Sequence, residues 1–177
     1  FTNASGGTVQ LDEDTSEFSA QPGTFGAQAD SEVNVTFRAA DNASDFVAAG
    51  ANPRVAGVMA TAEKLGISAY PSEMGGAILK ARAAAVDPFS SFYDIFLPAG
   101  VNHFFPEGRE ARLCLSYDEG TADPYALNIY YYNPTSNEFV IESENKAVDP
   151  DNRRICVSLS HASVFTVLNS SLTVISL

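Results

Sequence analysis

Basic residues are scarce in this chain: 22 Asp and Glu stand against 10 Lys and Arg in 177 residues, and Lys64, Lys80 and Lys146 are the only lysines. The resulting formal charge of −12 argues against nucleic acid as a partner, because a phosphate backbone is held by clustered cations. Long apolar runs are missing too. None approaches the roughly 20 residues a membrane helix needs, so no membrane insertion is expected. Glycine-rich phosphate loops, nucleophile elbows and the Asp-x-Asp-x-Asp-Gly calcium loop are absent, which removes the commonest signs of nucleotide, hydrolase and EF-hand chemistry. No cofactor is expected and no enzyme family is recognised. There is no leader and no Met at Phe1, so the chain reads as a processed or excised product.

Cysteine is limited to Cys114 and Cys156, and neither has the closely spaced second Cys or His pair of a structural zinc site. Leu113, Leu115 and Tyr117 share one face of a strand by period-two alternation, and Ile155, Val157 and Leu159 share one face of another. Both cysteines then project from the opposite faces of strands that could be neighbours, where a disulfide can form across the ladder. Closing that loop restricts the unfolded chain by about 3–4 kcal/mol in the entropic account and implies an oxidising compartment, secreted or at the cell surface.

What is present is β-patterned. An apolar fraction of 45% suits a folded core, and 177 residues fit one domain spanning 1–177. Val33, Val35 and Phe37 alternate with polar residues, Tyr93 to Leu97 reads as a strand before the Pro98-Ala99-Gly100 turn, and Leu127 to Tyr132 pairs through Asn133-Pro134 with Phe139 to Ile141 as a hairpin. Residues 41–91 form an expected insertion: a loop over Asp41 to Pro53, a short helix over Val55 to Leu65, and a strand over Ala77 to Val86. The fold class is all-β, an antiparallel β-sandwich with a small helical insertion.

These strand patterns resemble a family. Gly7-Thr8-Val9, Phe18 to Gly23 and Val33 to Phe37, then Tyr93-Asp94-Ile95, Phe105-Pro106, Leu113 to Glu119, Leu127 to Pro134 and His161 to Leu168, look like the ZU-five-like β-sandwich of prokaryotic surface proteins. About two-thirds of the chain is covered, with 41–91 outside. The resemblance implies a non-catalytic structural or adhesive module whose partners are other surface-protein domains or copies of itself. The terminal pieces, Phe1 to Gly7 and Leu172 to Ile175, suggest a fibre subunit assembled by strand donation.

Four further chemistries are weighed. Self-cleaving domains cut at a His-hydrophobic-Ser/Thr tripeptide, so His161-Ala162-Ser163 offers a general base and a nucleophile for scission between Ala162 and Ser163. Asp12, Asp14, Asp118 and Asp123 are weak calcium candidates in acidic turns. Asn3, Asn34, Asn42 and Asn169 open glycosylation sequons, while Pro134 blocks the one at Asn133. Alternation sends Tyr131 inward and leaves Tyr130 and Tyr132 outside, as a strip for carbohydrate.

Overall fold

A computed structural model describes residues 1, 4–12, 14–26, 32–40, 87–88, 90, 92–118, 123–133, 135–136, 138–169 and 174–175. Among the described residues twelve strands lie in two sheets. One contains β1 (Gly7–Gln10), β2 (Glu17–Ala20), β6 (Ala111–Ser116), β10 (Arg154–Leu159) and β9 (Ala147–Asp149), side by side in that order. The other runs β12 (Val174–Ile175), β8 (Glu138–Glu142), β7 (Leu127–Asn133), β11 (Val164–Asn169), β5 (Phe92–Phe96) and β3 (Thr36–Ala40). The two-residue β4 (Asp87–Pro88) extends it by pairing with the second half of β11. Every ladder is antiparallel.

The chain changes sheets after β2, β5, β6, β8 and β10. The β7-β8 hairpin therefore leaves for the second sheet, and β10 returns to lie beside β6. Register then aligns whole rows of side chains across the five-stranded sheet. Val9, Phe18, Leu113 and Val157 form one row facing the core, and Cys114 and Cys156 stand directly opposite each other in the adjacent row on the outer face. Their sulfurs are joined, with the Cα atoms 4.0 Å apart, and the bond links residues separated by 42 positions. Glu17 continues the cysteine row on β2 and meets Arg154 at 3.9 Å.

The core is shared by both sheets, as in a sandwich. Phe18, Leu113, Leu115, Ile155 and Val157 meet Phe37, Tyr93, Ile95, Leu127, Ile129, Phe165 and Val167. Fully burying each of these large side chains contributes roughly 1.5–3 kcal/mol relative to exposure. Phe1 also packs here, with its ring 6.0 Å from Phe18 and 5.9 Å from Phe25, while its carbonyl accepts from the Val33 amide. A Cβ on Gly7 would collide with that ring, which is why the smallest residue stands there. The expected arm at the N-terminus is thus anchored at Phe1. The expected terminal strand closes its own sheet, with Val174 opposite Val140 and Ile175 opposite Phe139.

One expectation is corrected by the packing. Tyr130 and Tyr132 are not exposed: they are 0% and 4% accessible. Alternation does turn them away from Tyr131, but that second face is covered as well. Phe92, Phe139, Val164 and Leu168 are buried on it, with Phe139 5.8 Å from Tyr132 and 6.3 Å from Phe92. Among the described residues the only helix is the 3-10 turn Pro124–Ala126, started by Pro124 and capped by Asp123. The helix and strand expected over 55–65 and 77–86 lie outside the described residues.

Candidate functional site

The tripeptide His161-Ala162-Ser163 lies where the strand β10 has ended and β11 begins, and a distant loop is pinned to it. Phe104 forms an isolated antiparallel bridge with His161. The Phe105 amide donates to the Ser160 carbonyl at 2.7 Å, and the Ala162 amide to the His103 carbonyl at 2.8 Å. Local sequence shapes the loop. Gly100 takes φ 90°, the Val101 amide bonds back to Pro98, and the Asn102 side chain accepts from the Phe104 amide at 3.0 Å. Successive phenylalanines then divide: Phe105 enters the core against Phe25 at 5.9 Å, and Phe104 stays 70% exposed.

His161 is held on several sides. Its ring meets Tyr131 edge-on at 4.4 Å, lies nearly parallel to Phe165 at 5.9 Å and is tilted against Phe104 at 6.1 Å. Its Nε2 stands 2.8 Å from Glu142 Oε1, with both side chains largely buried. A carboxylate only accepts, so Nε2 carries the proton that it donates. Burial, and secondarily the charge of Glu142, push the Tyr131 hydroxyl above its ordinary pKa, which keeps the phenol neutral.

Ser163 lines the same cavity as His161 but has its own partners. Its hydroxyl donates to the Tyr132 carbonyl at 3.0 Å, while its own carbonyl accepts from the Ile95 amide. The two side chains nominated for self-cleavage are neighbours in sequence with separate hydrogen-bond partners. No residue from 161 to 163 has a positive φ, so the backbone strain that acyl shifts exploit is not visible there.

Beside this cluster opens a cavity of about 330 Å³ lined by His103, Phe104, Tyr131, Asn133, Thr135 and His161. Asn133 Oδ1 accepts from the Thr135 amide at 3.0 Å, setting the turn that forms its rim. A wider hollow of about 490 Å³ lies on the outer face of the five-stranded sheet, over Thr8, Ser19, Arg112 and Ser158. No aromatic ring is among its described lining residues.

Several of the remaining candidates take part in turn hydrogen bonds. Among the described residues no three His, Cys, Asp or Glu side chains stand together as a metal site. Asp14 accepts from the Ser16 amide and from the Tyr93 hydroxyl, and Asp123 accepts from the Tyr125 amide. Asp12 and Asp118 lie near the loops they were read in, Asp118 exposed to solvent. Asn34 and Asn169 are exposed, whereas Asn3 and Asn42 lie outside the described residues. Glu142, Phe104 and Thr135 were not singled out from the sequence. Only the aromatic doublet Phe104-Phe105, with one ring too many for a single inward position, could have flagged Phe104.

No protein-family model matches the chain, and neither a curated protein nor a solved structure does. Among the described residues no helix is long and apolar enough to cross a membrane.

Proposed function

We propose that the chain is a non-catalytic extracellular module of a cell-surface protein, structural or adhesive in role and built on a ZU-five-like sandwich. The observation that carries this reading is the Cys114–Cys156 bridge across β6 and β10. Such a bond persists outside the reducing cytoplasm, and it staples the central strand pair of one sheet, which suits a part that must hold its shape without chaperones. The acidic surface supports solubility there. Partners are other surface-protein domains or further copies of the chain. Assembly into a fibre through the terminal strand would proceed by exchange, because β12 already pairs with β8.

Thiol titration of denatured, unreduced protein from its native source tests the reading. No free thiol is expected, and two per chain would overturn it. The competing reading, self-processing at Ala162-Ser163, would require Ser163 to leave the Tyr132 carbonyl and bring its hydroxyl to Nδ1 of His161, the ring nitrogen that Glu142 does not hold.

A further inference from the structure

We infer that the cavity between the Phe104 loop and the β7-β8 turn is a binding site for a neutral sugar ring. This deepens the adhesive half of the proposed function by naming what is gripped, and it rests on that reading. The volume of about 330 Å³ falls at the small end of ligand pockets, which run from about 300 to 1,000 Å³. One or two pyranose rings suit such a space.

The lining selects among ligand chemistries. Phe104 stands at the cavity with 70% of its surface free, although its backbone is fixed on both sides by the bridge to His161. An aromatic face held on a rigid backbone offers a platform for the C–H face of a sugar at low ordering cost. Thr135, Asn133 and His103, also in the lining, carry polar groups of the kind that hydroxyls bond. Among the described lining residues there is no Lys, Arg, Asp or Glu, and the carboxylate of Glu142, behind His161, is bonded to that ring. An anionic ligand would find no counter-charge there, on a chain of net charge −12. A purely apolar ligand would strip water from the polar rim without replacing its hydrogen bonds. The hollow over Arg112 has no aromatic platform among its described lining residues and carries the charges of Glu110 and Arg112, so it suits a neutral sugar less well.

The test is an array of immobilised neutral, sialylated and sulfated oligosaccharides, followed by saturation-transfer NMR with each neutral hit and with tetramethylammonium. Wild-type protein is expected to bind at least one neutral glycan. Phe104→Ala should weaken that binding by about tenfold or more, as for loss of an aromatic anchor. Tyr125→Ala, which removes a ring 65% exposed elsewhere, should leave it unchanged. Both variants should keep the wild-type melting temperature. Binding to no neutral glycan, binding confined to acidic glycans or to the ammonium probe, or equal losses in both variants would overturn the assignment. The thiol count is independent of all these readouts, so failure here leaves the extracellular reading standing, and failure there leaves any measured sugar binding intact.

Discussion

Tyr93 on β5 donates its hydroxyl to Asp14 Oδ2 at 2.9 Å, and this single bond ties the β1-β2 turn of one sheet to a central-core residue of the other. The two residues are 79 positions apart. Asp14 also accepts from the Ser16 amide, and Ser16 Oγ accepts from the Ser116 amide, so the turn is clamped to β6 as well. Burial, with the Asp14 charge adding to it, pushes the Tyr93 phenol well above its ordinary pKa.

The sign of the pH effect follows. A tyrosine whose folded pKa exceeds its unfolded value contributes stability that is intact below about pH 10 and is lost as pH rises beyond that. Tyr93→Phe should therefore lower stability at neutral pH by about 1.5–3 kcal/mol, the range for a hydrogen bond to a charged group, and flatten the alkaline loss. Urea denaturation at neutral pH and in a series above pH 10 measures both.

Replacing Cys114 and Cys156 together by serine should cost about 3–4 kcal/mol, chiefly through the released unfolded chain. Typical domains hold about 5–15 kcal/mol, so the doubly substituted protein should still fold at room temperature with a lower urea midpoint. An unchanged midpoint would mean the bond adds nothing to stability.

Tyr130→Ala should destabilise strongly, by roughly 3–5 kcal/mol as for other large-to-small core changes, because Tyr130 is fully buried. Phe104→Ala, at an exposed ring, should shift stability by no more than about 0.5 kcal/mol. Thermal melts of the two variants side by side decide whether the second face of the larger sheet is covered in solution.

Intact-mass spectrometry of denatured protein, after prolonged incubation, should return one full-length species. Fragments meeting between Ala162 and Ser163, abolished in Ser163→Ala, would establish the self-processing reading in place of the non-catalytic one.

Much of the framework was legible because period-two alternation is a local property. Leu113 and Leu115 on one strand, and Ile155 and Val157 on another, fixed the side from which each cysteine projects, and the ladder pairs Cys114 with Cys156 as that phase requires. The β7-β8 hairpin was legible for the same reason, with turn chemistry at Asn133. The pocket was not. Phe104 and His161 are joined by a bridge between residues 57 positions apart, and Glu142 reaches His161 from a third strand. No local pattern announces such meetings.

Composition and alternation alone pointed to a β-sandwich, to the β7-β8 hairpin and to how the two sulfurs are phased. Tertiary structure decided the rest: that β10 returns beside β6, that Tyr130 and Tyr132 are sealed on their own face, and that His161 serves Glu142 while Ser163 serves the Tyr132 carbonyl. The physical reason is that alternation assigns a side chain to one side of its own strand, whereas burial and hydrogen bonding depend on what distant part of the chain stands across from it.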